Sequence, residues 1–97
     1  MKSDNLIQIS GFLTKDVKIN EAMTFASFSI AHRINNAETM FFNCVLFAKD
    51  KKIPTDILRK GKEVFVKGYL RPNNYTKGGL SVNGFQVVAE KIRDANE

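Results

Sequence analysis

The sequence has 97 residues, 43% hydrophobic and 26% charged, which is ordinary for a soluble globular protein of one domain. Its net charge of +5 favours an anionic partner, and nine basic residues against three acids lie between Lys49 and Lys77. The single Cys44 excludes an intramolecular disulfide, and no Cys/His cluster has zinc-site spacing, so we expect no metal or cofactor. The early apolar stretch, Leu6 to Leu13, is too short and too interrupted for a signal peptide or membrane span, which predicts a cytoplasmic protein.

Alternation of apolar and polar residues predicts three strands in the first half of the chain. The first runs from Leu6 to Thr14, and Gly11 interrupts it where a bulge or sharp bend would fit. The second runs from about Met23 to Ile34 and the third from about Thr39 to Ala48. The connection at Asn35-Asn36 is so short that these two strands form an antiparallel hairpin.

The second half of the chain contains a predicted helix and two further strands. Lys51 to Lys60 is the one stretch with helical spacing, with a proline near its first turn and a glycine just past its end. Lys62 to Arg71 alternates again and predicts a fourth strand with a bend at Gly68. A polar loop from Pro72 to Gly79 precedes a fifth strand from about Leu80 to Ile92.

Five strands with one short helix between the third and the fourth have the element order of the OB fold, an all-β, five-stranded Greek-key barrel. A sheet of another topology, such as an SH3-like barrel, would give a similar pattern. We assign residues 1–93 to a single OB-fold domain and 94–97 to a short charged C-terminal end. A domain of this size leaves much of its surface exposed, so self-association would help to stabilise it.

The third strand carries large apolar side chains on both of its faces. Phe42 and Cys44 lie on one face, and Phe41 and Phe47 on the other. Only one face can fill the core of a small barrel. Phe41 and Phe47 therefore either pack under a loop or in a subunit interface, or stack on nucleic-acid bases, each stack contributing about 1–3 kcal/mol.

Tyr75 and several cations extend this candidate surface. Tyr75 lies in the predicted polar loop, so its ring either closes over a bound strand or rests on its own hairpin. Cations beside exposed rings would follow the phosphates of a single strand, although each taken singly is an ordinary solvated charge. The basic candidates are Arg33, Lys49, Lys60, Lys67, Arg71 and Lys77.

Catalysis has no support in the sequence. His32 and Cys44 are the candidates for general-base or nucleophilic chemistry, and no motif supplies an orienting acid, so we expect structural roles for both. Carboxylates lack paired spacing, and Gly78-Gly79 ends a loop rather than opening a helix. We therefore predict a protein that is not an enzyme.

Five collinear segments resemble the bacterial single-stranded-DNA-binding proteins and together cover nearly the whole chain. Phe41–Lys49 (FFNCVLFAK) resembles the third strand of that family, and Leu58–Arg71 is similar to its L-x-K-G segment and the V-x-V-x-G-x-L strand that follows. The other matching segments are Ile7–Asp16, Phe25–Ala31 and Val87–Ile92.

The resemblance implies an OB fold that binds single-stranded DNA without sequence preference in replication, recombination or repair. It places Phe41, Phe47 and Tyr75 at the base-stacking positions, and Lys49, Lys60 and Arg71 along the DNA path. The chain has no Trp, so Phe and Tyr offer smaller stacking surfaces. The loop from Asn35 to Glu38 is shorter than the DNA-embracing loop of the family, which favours a compact binding mode.

The family also implies self-association through edge strands. We expect a homodimer, with a homotetramer as the alternative, and the contacts offered by the sequence are Ile7 and Ile9 on the first strand and Phe65 or Tyr69 on the fourth. The sequence carries no acidic tail of the kind that recruits replication proteins, so the resemblance does not extend to that recruitment. The alternative function is that of a primosomal protein B-like or mobile-element OB-fold module that binds mainly protein.

Overall fold

The computed structural model describes residues 5–48 and 52–96. In this part of the chain, the secondary structure consists of strands joined by turns. The strands are β1 (Ile7–Leu13), β2 (Lys18–Ile19), β3 (Phe25–Arg33), β4 (Thr39–Phe47), β5 (Glu63–Pro72), β6 (Tyr75–Lys77), β7 (Leu80–Val82) and β8 (Phe85–Asp94).

Five of these strands close into a barrel. β1 pairs antiparallel with β5 on one side and with β3 on the other, and β3 continues the barrel through an antiparallel hairpin with β4. β8 closes it by pairing antiparallel with β5 and parallel with β4. The short β2 adds to β3, and β6 and β7 form a separate hairpin. This closed arrangement confirms the predicted five-stranded OB fold.

Two glycines allow strands to approach closely where the barrel bends. A Cβ on Gly11 would lie 2.7 Å from the backbone oxygen of Ala31, next to the point where β1 leaves β5 and pairs with β3. A Cβ on Gly68 would lie 1.9 Å from the backbone oxygen of Val88. The β5–β8 register shifts between Lys67 and Gly68, which leaves Glu90 as the extra residue of a bulge on β8. Both bends are therefore where the sequence predicted them.

The core shows which faces of β3 and β4 point inward and corrects the face predicted for β1. Ala26, Phe28 and Ile30 of β3 are buried, as are Cys44 and Leu46 of β4. The core cluster continues on the other elements with Ile9, Leu13, Ile53, Leu58, Val64, Val66, Val87 and Ala89.

The prediction that Ile7 and Ile9 form an exposed subunit contact is wrong. Ile9 belongs to the core and Ile7 packs against it. The alternation along β1 marked one apolar face correctly, but that face points into the barrel and packs against the core.

The predicted helix between Lys51 and Lys60 is also wrong over the part that the structure describes. Residues 52–62 form turns, in which the N–H groups of Ile57 and Leu58 both donate to the carbonyl of Pro54 at 3.2 Å. Asp16 accepts a hydrogen bond from the N–H of Lys60, and Val17 donates to the carbonyl of Leu58. About ten residues make a marginal helix, and these tertiary bonds and the burial of Leu58 decide the conformation instead.

The fifth predicted strand, Leu80 to Ile92, is divided in the structure. Its first residues form β7, which pairs with β6 inside the stretch predicted as a polar loop. Gly78 and Gly79 connect them with φ of 58° and 81°, as a two-residue type I′ hairpin requires. A three-residue strand is too short to show alternation, so the sequence pattern did not reveal β6.

Candidate nucleic-acid interface

The outer face of β3 and β4 presents an open surface around Phe41. The register pairs Phe41 with Ala31 and Asn43 with Ser29, so small side chains lie beside the ring. Phe41 is 69% exposed. Arg33 pairs with Thr39, which places it diagonal to Phe41 on the same face. The structure therefore brings Arg33 and Phe41 together at one end of the hairpin.

Phe47 and Arg71 meet at the other end of β4. The guanidinium carbon of Arg71 lies 5.2 Å from the centroid of the Phe47 ring, within cation–π range. The Phe25 ring packs against Phe47 at 5.3 Å with an interplanar angle of 56°. Arg71 Nε also donates to Gln86 Oε1, which fixes the guanidinium over the ring. Phe47 remains 41% exposed despite these contacts.

Tyr75 lies on β6 of the small hairpin and is 52% exposed. A Cβ on Gly84 would lie 3.2 Å from Tyr75 Cε1, so one side of the ring rests against the hairpin base while the other faces solvent. The contact agrees with a ring that rests on its own hairpin, and closure over a bound strand stays a prediction. Lys77 is exposed on the same strand.

The remaining predicted cations do not all join this surface. Lys60 is exposed in the turn before β5, where Asp16 binds its backbone. Lys67 lies on the outer face of β5 opposite Lys91, and both line a hollow away from Phe41. Lys49 lies outside the described residues.

A groove of about 440 Å³ crosses the outer face of β3 and β4, between the β1–β2 connection and the residues that precede the β6–β7 hairpin. The sequence analysis did not identify this groove. Lys15 and Lys18 line one side together with Asp16, and Asn73 and Gln86 line the other. Ser29, Asn43 and Val45 are among the residues at its base, on β3 and β4. Both lysines precede the basic stretch of the sequence, so charge density along the chain gave no signal for them.

Phe12 is a second feature that the sequence analysis missed. It pairs with Ala31, which in turn pairs with Phe41, so the three side chains form one row across β1, β3 and β4. Phe12 is 50% exposed. The sequence carries a signal for it, because Ile7, Ile9 and Leu13 fall on one face of the alternating strand and Phe12 on the other.

The fold constrains both residues that were considered for catalysis, His32 and Cys44. His32 Nδ1 donates to the backbone oxygen of Ser10 at 2.8 Å. Burial raises the pKa of the Cys44 thiol to about 12, which keeps it protonated and unreactive at neutral pH. Across residues 5–48 and 52–96, no group of three or more His, Cys, Asp or Glu side chains could hold a metal ion. Over the same residues, no helix is long and apolar enough to cross a membrane.

Comparison with known proteins identifies the family. The model of the Single-strand binding protein family matches residues 4–94. The chain belongs to this family. A single-stranded DNA-binding protein of Borreliella burgdorferi is 32% identical over 81 residues, which cover 73% of this chain and 54% of the relative. The chain thus spans about half the length of that curated relative.

Two solved structures share the fold of this chain. The Plasmodium falciparum protein in complex with single-stranded DNA superposes with a TM-score of 0.68 at 23% identity, covering 96% of this chain and 94% of the other. The small single-stranded DNA-binding protein of Streptomyces coelicolor gives a TM-score of 0.71 at 17% identity, covering 92% of each chain. At these identities the likeness supports the OB fold alone.

Proposed function

We propose that this protein binds single-stranded DNA without sequence preference and without turnover, in DNA replication, recombination or repair in the cytoplasm. The observation that carries the proposal is the position of Phe41 and Phe47 on the outer face of β4, both exposed and each accompanied by an arginine. Family membership supports the same function. It does not favour the alternative of a module that mainly binds protein.

The spacing of the Phe41 and Phe47 rings defines how a single strand of DNA would lie on the protein. Phe41 and Phe47 are six residue steps apart along β4, which at about 3.3 Å per residue is about 20 Å. A strand that reaches both rings must therefore be extended, with its bases turned to the protein. The groove between the rings, lined by Lys15 and Lys18, would hold the intervening backbone.

Each part of the surface has a separate task. The rings of Phe41, Phe47 and Tyr75 would stack on bases, which suits any sequence because every base has a π face. Arg33, Arg71 and Lys77 would neutralise phosphates, and we also assign this role to Lys60 and Lys49.

We further propose that the protein acts as a homodimer, with a homotetramer as the alternative. β1 pairs with β3 only through Phe12 and Leu13, so the edge from Ile7 to Gly11 opposite β5 is open. An open edge supports pairing with a second copy. Sedimentation of the purified protein would give twice the monomer mass, and a monomer at micromolar concentration would contradict the proposal.

Titration of fluorescent oligo-dT at low and high salt, with duplex DNA of equal length as competitor, tests the proposed function. We expect the affinity to fall as the salt concentration rises. Each phosphate contact on a single strand should steepen the negative slope of log K against log salt by about 0.7. Duplex DNA should compete weakly, since its bases are already stacked. Absence of binding at low salt, or equal binding of duplex, would contradict the proposal.

A further inference from the structure

Three side chains on neighbouring strands form a row across the outer face of the barrel. Phe12 of β1 pairs with Ala31 of β3, and Ala31 pairs with Phe41 of β4. Residues that pair directly across strands point to the same face, so two exposed rings flank one small methyl group. We call these three residues the aromatic row. The proposed function uses the ring of Phe41 and gives no task to that of Phe12.

The aromatic row forms one end of the polar groove. The next residues on the same face of β3 and β4 are Ser29 and Asn43, which pair with each other and line the groove. Thr14, which follows β1, also lines the groove and donates its backbone N–H to the carbonyl of Ser29. The groove that would hold the DNA backbone therefore opens directly onto the rings of Phe12 and Phe41.

Hydrogen bonds hold Phe12 against β3 in the free protein. Before it in the chain, the backbone oxygen of Ser10 accepts a hydrogen bond from His32 Nδ1 at 2.8 Å. After it, the N–H of Thr14 donates to the oxygen of Ser29 at 3.0 Å. The position of this part of β1 is thus set before any ligand binds, which lowers the cost of ordering the ring on binding.

The surroundings of Phe12 favour a base over a second copy of the chain as the group that the ring contacts. β1 has a strand on both sides at this residue, so Phe12 is not part of the open edge from Ile7 to Gly11. On the β5 side, Glu63 pairs with Phe12, and its carboxylate disfavours a phosphate there. A bound strand would therefore place a base over Phe12 and keep its phosphates on the side of the groove.

We propose that Phe12 and Phe41 clamp one base between them over Ala31, an inference that rests on the proposed function. Neighbouring strands are about 4.8 Å apart, so the Cα atoms of the two phenylalanines lie about 10 Å apart across β3. A base in contact with both rings needs about 7 Å between the ring planes, twice a contact distance of about 3.5 Å. Each ring closes the difference by leaning inward about 1.5 Å, through rotation about its side-chain bonds. The methyl group of Ala31 leaves the space between the rings open.

Tryptophan substitution tests whether a base stacks at position 12, because the chain has no tryptophan of its own. Phe12→Trp places a single indole in the aromatic row, and contact with a stacked base should quench its fluorescence when oligo-dT binds. Leu6→Trp is the matched control, since Leu6 is 62% exposed and precedes β1 outside the row. Its emission should not change with the same oligomer bound. Unquenched emission from Phe12→Trp with oligo-dT bound would overturn the clamp.

Affinity measurements test whether both rings hold the same base. Phe12→Leu keeps an apolar side chain but removes the π face, so the dissociation constant for oligo-dT should rise about fivefold or more, which is about 1 kcal/mol for a stacked base. The salt slope should not change, because no charge is removed. If the rings share one base, the double variant with Phe41→Ala should lose at least about twofold less affinity than the product of the two single losses.

The possible outcomes separate the clamp from the proposed function. Wild-type protein that does not bind oligo-dT at low salt would refute the proposed function itself. Wild-type binding with full affinity in Phe12→Leu, or with a double loss equal to the product, would overturn the clamp alone. A changed mass of Phe12→Leu in sedimentation with unchanged affinity would do the same and assign the ring to a contact between copies. Urea unfolding of each variant separates a loss of binding from a loss of fold.

Discussion

Replacing Phe41 by alanine should weaken binding of single-stranded DNA without unfolding the protein. The ring is 69% exposed, so it buries little surface in the free protein, and its loss should change the free energy of unfolding by less than about 0.5 kcal/mol. A stacked base is worth about 1–3 kcal/mol. Taking about 2 kcal/mol, the dissociation constant for oligo-dT should rise about thirtyfold. Fluorescence titration and urea unfolding measure the two quantities on the same samples.

Two further variants show whether the ring itself is responsible. Phe41→Leu keeps a large apolar side chain but lacks a π face, so its affinity should fall nearly as far as that of Phe41→Ala. Met40→Ala truncates a neighbouring side chain, 45% exposed, that points to the other face of β4, and it should bind like the wild type. Unchanged affinity in Phe41→Ala would refute the stacking role, and full affinity in Phe41→Leu would reduce it to simple apolar contact.

Variants at three further positions test the cation, the pH dependence and the barrel bend. Arg71→Lys keeps the charge but loses the planar contact with Phe47, so affinity should fall while the salt slope is retained, whereas Arg71→Gln should also lower the slope by about 0.7. Asp94 bonds to Lys62, which lowers its pKa below the ordinary 3.8, so this bond stabilises the fold above that pH and is lost as pH falls through the lower folded-state value. Asp94→Asn should therefore remove that part of the acid dependence of urea unfolding. Gly68→Ala forces a Cβ to within 1.9 Å of the Val88 oxygen and should cost about 3 kcal/mol or more in urea unfolding.

Each of these expectations has a contrary result. An Arg71→Lys variant with wild-type affinity would show that charge alone matters at that position. An Asp94→Asn variant with the wild-type acid profile would mean that the bond to Lys62 contributes nothing to it. Gly68→Ala with unchanged stability would show that β5 and β8 separate easily, and Gly61→Ala gives the comparison, because its added Cβ meets open space and only its φ of 85° is strained, at about 1–2 kcal/mol.

The sequence was sufficient to predict the barrel because its strands alternate clearly and two glycines mark the bends. The alternation also placed Phe41 and Phe47 on the face opposite Cys44 and Leu46, as observed. The alternation did not show which apolar face of β1 packs against the core, because that depends on strands distant in sequence.

The errors have a common physical origin in short elements. The segment before β5 has helical spacing, but its turns are fixed by hydrogen bonds to Asp16 and Val17. Both residues lie more than forty positions earlier in the chain than their partners, Lys60 and Leu58. The groove and the Arg71–Phe47 contact arise from pairings between distant strands, which the pattern along a single strand does not reveal.

Mapping amide chemical-shift changes on the labelled protein as oligo-dT is added tests the central claim most directly. The proposed site predicts that the largest changes fall on β3, β4 and the residues around Arg71, and that duplex DNA of the same length leaves them small. Changes confined to other elements, or none at saturating oligo-dT, would contradict binding of single-stranded DNA at this face.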